Sequence, residues 1–540
     1  MPQQHLKNKR KIGVKDISKH PGESLIEIDP RDLVPLPPPY DKPENDPLIS
    51  PLTEKQQLDY ECLLDGVVGL GLPKPKSKEE EERLVQGFLS GLKKLLSKKD
   101  NWTFLQPLML SLDYCAKCQN CSEECPVYLM SGKQEIYRPT YRAEVLRRII
   151  NKYVKNKGFW SKLSDGDIEL NYETVARLAE LAYRCTICRR CAQSCVRGVD
   201  NALITHELRK LFSQEMGIAP QELHSKGSVQ QLKVGASTGL SPKAFKGIVA
   251  FMEEEIEEKT GSKMKIPVDK EGADILLIHN SGEYMAWLEN PEAFAIIFEA
   301  AGLNWTLSSE LQGYEGTNYG VWYDDVQFAR IAVRQAEVAR KLGVKKIVMG
   351  ECGHAHKALA VIADRILLGE ANVPRESSLT LIADLIDNGK LKLDPSRNNF
   401  PVTLHDPCNI VRLMGIVEPQ RRILKKICPQ FREMTPYGVD NFCCGGGSGF
   451  AIMKSMNFPD WRINISGRMK FKQILDAFQD IISPDIKKYV CAPCSNCKGQ
   501  IRDLYEFYNA REKAGLYYGG LVELIVNAMA DVKEPFITWE

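Results

Sequence analysis

Fourteen of the seventeen cysteines fall in four groups: Cys115/Cys118/Cys121/Cys125, Cys185/Cys188/Cys191/Cys195, Cys408 with Cys443 and Cys444, and Cys491/Cys494/Cys497. Thiolates clustered in this way hold iron–sulfur clusters or zinc. The first two groups share one spacing, C-x2-C-x2-C-x3-C. Three thiolates at that spacing wrap one corner of a cubane, and the fourth points to a second cluster, as in bacterial two-cluster ferredoxins. The spacing thus assigns Cys115, Cys118, Cys121 and Cys195 to one cubane [4Fe-4S] cluster, and Cys185, Cys188, Cys191 and Cys125 to another. Zinc, the alternative, prefers two separated pairs. Pro126 follows the first run, whereas Val196 stands where the second would have proline. Arg184, Arg189, Arg190 and Arg197 surround the second run; they raise its potential, dock an acidic partner, or form an ordinary solvated face.

The other cysteines are spaced irregularly. Cys408 follows a strand-like run, Cys443 and Cys444 are adjacent in CCGGGSG, and Cys494 and Cys497 form a late C-x2-C. Glycines beside the vicinal pair let backbone N–H groups approach sulfide closely. The run lacks the order and the following acidic residue of a dinucleotide fingerprint. Five thiolates from three loops imply a cluster of irregular shape. Cys491 is a spare thiol or a substitute ligand. Cys352, His354 and His356 stand together after another strand-like run, with His279 and His405 ending neighbouring ones; they are candidates for an extra iron or haem-type group, or for proton donors, against the plainer reading of a relic cysteine with surface histidines. Cys62 and Cys428 read as ordinary buried thiols.

These residues need positioning elements. Residues 1–55 read as an extended N-terminal arm, basic at first and then rich in proline (Pro35, Pro37, Pro38, Pro39), which cannot support a helix or a central strand; it is either a free, solvated arm or a segment that wraps a partner subunit or touches an anionic membrane surface. Ser77 as a cap, acids from Glu79 to Glu82 and a face of Leu84, Phe88, Leu92, Leu95 and Leu96 predict a helix. It opens a helical domain over 56–225, in which YRAEVLRRIINKYV and YETVARLAELAYR flank the cysteine runs. A polar helical connector over 226–270 follows. The rest alternates strand and helix patterns, predicting an α/β architecture. ADILLIHNSG, KKIVMGECG, VTLHDPC and KYVCAPC are its apolar runs, with DVQFARIAVRQAEVARKLG as a helix after the first. The order repeats: HNSG parallels HDPC, LQGYEGTNYG parallels CCGGGSGF, and GECGHAHKAL parallels APCSNCKGQI. A degenerate copy over 271–400 and an intact one over 401–540 follow from this. The fold expected is α+α/β.

Bulk properties add limits. A chain of 540 residues suits several domains at ~150 residues each. Its net charge of +2 gives no argument for nucleic acid. No apolar run reaches the ~18 residues of a membrane span, and the polar start is no secretory signal; a cytoplasmic protein is expected.

The pattern C…CCG…C-x2-C after a two-cluster module resembles the D-type subunits of heterodisulfide reductase, over roughly residues 100–540. One intact and one degenerate copy is similar to the DsrK type of that family, found in membrane-bound DsrMKJOP complexes of sulfate reduction. The resemblance implies that Cys408, Cys443, Cys444, Cys494 and Cys497 bind a noncubane [4Fe-4S] cluster and are catalytic. It implies electrons from menaquinol, a membrane haem b partner (DsrM-like), attachment to the cytoplasmic face, and reduction of a disulfide or of the trisulfide of a DsrC-like sulfur carrier. The alternative is a non-catalytic electron-transfer subunit, as in glycerol-3-phosphate, lactate or glycolate dehydrogenases, which share the same cysteine modules.

Overall fold

Ser77 does cap the first long helix, Lys78–Leu95: its Oγ accepts from the Glu80 N–H at 3.3 Å, and Phe88, Leu92 and Leu95 are buried on one face. The structure, a computed structural model, describes residues 13–18, 24–27, 33–47, 61–63, 72–101, 103–155, 168–453 and 461–539. The side chain of Cys62 lies outside that description. Helices Leu105–Asp113, Pro139–Ile149, Tyr172–Tyr183 and Asn201–Lys210 pack with the first around Val145, Leu178, Leu208 and Phe212. Helix Pro242–Thr260 leads to the sheets and ends at Gly261, whose φ of +71° suits glycine.

In the N-terminal part β1 (Ser24–Glu27) pairs antiparallel with β2 (Glu61–Leu63). The proline-rich stretch is not the free arm that its composition suggests. Leu36, Tyr40 and Asp46 are buried; Tyr40 donates to the Tyr508 carbonyl at 2.9 Å, and Asp46 pairs with the fully buried Arg468. Prolines exclude regular structure but not packing, and one tyrosine with one carboxylate suffices to fasten the segment.

The sheets are two four-stranded parallel layers. One runs β4 (Trp305–Thr306), β3 (Ile275–Ile278), β5 (Lys346–Met349), β6 (Arg375–Ser377); the other runs β10 (Leu516–Gly519), β9 (Lys488–Cys491), β7 (Val402–Leu404), β8 (Phe431–Arg432). Each layer places the first strand of its copy between two parallel neighbours, so the duplication holds at the level of topology. Strands buried on both faces need no polar alternation. Ile275 and Leu277 enter the core between the copies, and Leu276 and Ile278 enter the one that holds the cysteines. The fold is α+α/β: a helical module followed by two cysteine-rich-type α/β layers.

Candidate iron-sulfur centre

The two regular cysteine loops have the same backbone. Lys117 and Gln119 in one, Ile187 and Arg189 in the other, take positive φ (58°, 68°, 49° and 63°), and each loop then enters a short helix, Asn120–Glu123 or Arg190–Gln193. Alternating left- and right-handed residues turn successive N–H groups inward, the concavity that surrounds anionic sulfur. Ile187 donates to Cys185 Sγ and Val199 to Cys195 Sγ, each at 3.4 Å. The two loops bring their thiols within electrostatic reach of one another. Burial pushes Cys121 up to about 12, assisted by Cys115, Cys195, Cys125 and Cys118. Burial does the same to Cys125, whose neighbours are Cys188 and Cys185.

Of the four arginines, three are tied to carboxylates. Arg184 meets Glu180 at 3.5 Å, Arg189 meets Asp200 at 2.8 Å, and Arg190 pairs with Glu124. Arg197 alone of these is exposed.

The irregular cysteines converge beyond the carboxyl ends of β5, β7 and β9, where sites gather in parallel sheets. Their thiols form a file of close neighbours. Cys188, from the second regular loop, meets Cys443; Cys443 meets Cys408 and Cys444; Cys444 meets Cys497; Cys497 meets Cys494; and Cys494 meets Cys352. Hydrogen bonds received from Cys443 and Cys497 hold Cys444 well below the usual thiol range, and those from Cys352 and Cys497 do so for Cys494. His405 joins Cys444 and Cys497, and His354 joins Cys352 and Cys494, in two groups whose ligand atoms lie within 4.8 Å of one another.

Three particulars fit these residues to a metal cluster. All sixteen cysteines whose side chains are described are free. The ring nitrogens of the fully buried His405 have no nitrogen or oxygen partner among the described residues, and the ring faces the thiols of Cys444 and Cys497, an arrangement that ligation would satisfy. Gly445 takes φ +94°, and a Cβ there would meet the Gly467 backbone at 2.4 Å, so the CCG turn can carry no side chain. Gly445 N–H donates to Cys443 Sγ at 3.4 Å, and Gly353 N–H to Cys494 Sγ at 3.3 Å.

The loops are stitched together. Arg412 donates to the carbonyls of Cys188 and Val439 at 2.7 Å each, and to that of Asn441. Arg209 bridges the carbonyls of Cys185 and Ser448 at 2.8 Å each. Behind the thiol file, Lys498 is completely buried between Glu283 (3.6 Å) and Glu523 (3.4 Å), and Asn290 spans Glu523 and Glu351.

Other sequence candidates fall elsewhere. His356 does not join Cys352 and His354: its nitrogens are used by the Cys352 carbonyl and Ser377 Oγ, both at 2.7 Å. His279 packs against Tyr284 and Phe294, and burial lowers it to about 3, which keeps it neutral. Cys491, last in β9, faces the core between the copies with Cys428 rather than the thiol file. The strand period of two could have shown this, since Val490 and Cys494 lie with the other face. The Cys188–Cys443 junction had no signal in sequence, because it is purely tertiary.

Residues 111–199 match the 4Fe-4S dicluster domain family and residues 402–502 the cysteine-rich (CCG) domain family. The chain is similar to heterodisulfide-reductase-like iron–sulfur subunits. It is 27% identical over 482 residues to the Hdr-like menaquinol oxidoreductase iron-sulfur subunit 2 of Archaeoglobus fulgidus, covering 82% of this chain and 83% of that one. It is 24% identical over 403 residues to the D-type subunit of the dihydromethanophenazine:CoB–CoM heterodisulfide reductase of Methanosarcina acetivorans, 73% of this chain and 89% of that one. It is 22% identical to the EtfAB:quinone oxidoreductase of Syntrophomonas wolfei, over 78% of this chain and 58% of that one. No solved structure matches. Among the described residues no helix is long and apolar enough to cross a membrane.

Proposed function

We propose that the chain is the iron–sulfur subunit of a quinol-linked oxidoreductase that reduces sulfur–sulfur bonds at its CCG site. The observation that carries this is the unbroken thiol file from Cys188 to Cys494. Cys115, Cys118, Cys121 and Cys195 would hold one cubane, Cys185, Cys188, Cys191 and Cys125 the next, and Cys408, Cys443, Cys444, Cys494 and Cys497 a noncubane cluster. Such clusters supply one-electron transfer and, at the irregular site, an iron able to take up thiolate.

The chain's own residues do the rest. Arg412 and Arg209 fix the second regular loop against the CCG turn, so that two cofactor sites share a wall. Burial of Cys443, Cys444, Cys494 and Cys497 excludes water. His354 accepts from the Ser448 N–H at 3.5 Å, meets Asn496 Nδ2 at 3.0 Å and is held by them beside Cys494. Cys352 serves as a sixth thiol at the far end of the file.

The finer reading follows the DsrK-type resemblance: a cytoplasmic-face subunit beside a DsrM-like haem b protein, taking menaquinol electrons in dissimilatory sulfur metabolism and acting on the trisulfide of a DsrC-like carrier. The test is iron content and electron paramagnetic resonance of anaerobically purified protein. About twelve irons are expected, as three four-iron clusters require, with a spectrum that changes when a substrate thiol is added to the oxidised form. A second reading, a non-catalytic electron carrier, draws on the likeness to the quinone oxidoreductase and on burial of the thiols. An unchanged spectrum would select it.

A further inference from the structure

A cleft of about 430 Å3 opens between the helical module and the two α/β copies. Three of its walls come from elements that carry site cysteines. Ile187 and Arg189 belong to the second regular loop. Leu413 ends the helix Cys408–Leu413. Lys357, Val361, Ile362 and Arg365 follow Cys352 and His354.

In that last segment the two copies differ in backbone. His356–Ile362 is a π-helix and Ala363–Arg365 a tight 3-10 turn, whereas the corresponding stretch of the intact copy is the regular helix Ser495–Tyr508. Wide turns of this kind are frequent at functional sites, and four others occur among the described residues, Arg462–Ser466 of the intact copy included. Lys357 stands where the intact copy has Gly499, so widening and a new cation arrive together.

The charges facing the cleft do not cancel. Arg189 is satisfied by Asp200 at 2.8 Å, and Asp325 shares Lys210 (3.0 Å) with Glu207 (2.8 Å) and lies 3.5 Å from His206. Lys357 and Arg365 have neither an ion pair nor a hydrogen bond among the described residues; Arg365 lies 5.5 Å from the centre of the Phe104 ring. Burial, then Arg189, lowers Lys357 to about 8, which leaves it charged at neutral pH, with Asp200, Cys408 and Asp325 as its other electrostatic neighbours. The remaining lining is apolar, including Phe104, Val361, Leu413 and the half-exposed Leu110. Lys357, partly withdrawn from water with no partner, is the costly one unless an anion visits it; Arg365 stands exposed at the rim of the same wall.

We infer that this cleft binds a small organic anion with an apolar body, its carboxylate-type head on Lys357 and Arg365, and that it admits anionic disulfides toward Cys408. The disulfide clause rests on the sulfur-reducing reading above; the anion site stands on the cleft alone.

The test uses the full holoprotein purified anaerobically, with two probes: dithiodipropionate, a dicarboxylate disulfide, and the neutral disulfide of mercaptoethanol. Calorimetric titration should give at least about tenfold tighter binding of the dicarboxylate. The double variant Lys357→Gln/Arg365→Gln should abolish that preference, Lys357→Arg should keep it, and Lys233→Gln, beside a different cavity, should change nothing. Iron content and unfolding temperature equal to wild type confirm that the variants fold. No preference in the wild type, or a preference that survives the double variant, overturns the inference. Reduction of each probe by electrochemically reduced methyl viologen is followed separately. Selective binding without turnover sinks the disulfide clause and leaves the anion site, whereas turnover of both probes at equal KM removes the cleft and leaves the reaction.

Discussion

The two α/β copies share their parallel topology and the placing of one cysteine, yet they are built for different work. Cys352 and Cys494 both sit at the start of the helix after the third strand, with φ/ψ of −154°/118° and −165°/118°. Around them the residues diverge: Ala355 replaces Cys497, and Leu311 and Gln312 replace Cys443 and Cys444. The degenerate copy therefore lacks the thiols to close a cluster of its own, but its surviving cysteine does not face an abandoned pocket. It faces Cys494 across the interface between the copies. The first copy thus stands against the thiol file of the second and, through its widened helix, forms one side of a cleft.

The largest effect that tests this asymmetry is ligand loss. Cys444→Ser in the intact copy should lower iron from about twelve to about eight per chain and abolish disulfide reduction. Cys352→Ser should keep all the iron, shift the spectrum of the irregular site and slow turnover by about 10- to 100-fold, the range of outer partners at metal sites. Iron analysis decides: equal loss in both variants would mean that the copies contribute ligands alike, and no spectral change in Cys352→Ser would make that thiol a relic after all.

Stability should be lopsided too. The N-terminal strap fastens to the intact copy through Asp46 and Tyr40. Asp46→Ala leaves Arg468 buried without its carboxylate, a loss of about 3–5 kcal/mol for a broken buried pair. Denaturant unfolding of the holoprotein should register it, with early exposure of tryptic sites in 461–539. A loss confined to 271–400 would contradict the placement of the strap.

The paired histidines give a smaller contrast. His279 and His405 end the first strands of their copies, but only His405 of the two reaches thiols. His405→Ala should change the spectrum of the irregular site, whereas His279→Ala should only loosen packing against Tyr284 and Phe294. Equal spectra for the two variants would dissolve the distinction.

How much of this can be read from the chain depends on how local each cause is. The regular runs predict a crossing pattern, because three-residue spacing dictates which thiols share a corner. The first and third strands of each copy show as apolar runs, whereas β4 and β8 are two residues long and leave no period to detect. His356 passes for a site residue in sequence because nearness along the chain does not tell which way a ring turns once a helix has widened. The strap misleads for the opposite reason: proline content describes its backbone correctly and says nothing of Tyr40 or Asp46. The meeting of Cys188 with Cys443 depends on Arg412 and Arg209, two arginines far apart in sequence, which no motif connects.

The gentlest probe concerns the charges between the copies. Glu283, in the degenerate copy where the intact one has Asn409, reaches across to Lys498, and burial raises its carboxyl from 4.5 to about 7. A carboxyl with a raised folded value favours folding in its protonated form, so its contribution is complete below the unfolded value and is lost as pH climbs to about 7. Each unit of displacement corresponds to about 1.4 kcal/mol, and sharing of Lys498 with Glu523 and Glu351 will reduce the portion that one substitution recovers. Glu283→Gln imitates the protonated form at every pH. Relative to wild type, the variant should therefore gain about 1–2 kcal/mol between about pH 5 and about pH 8, with no change in iron content. A difference that stays flat over that range would mean that Lys498 already holds Glu283 ionised at low pH, and that the copies meet through a conventional ion pair instead of a proton-holding one.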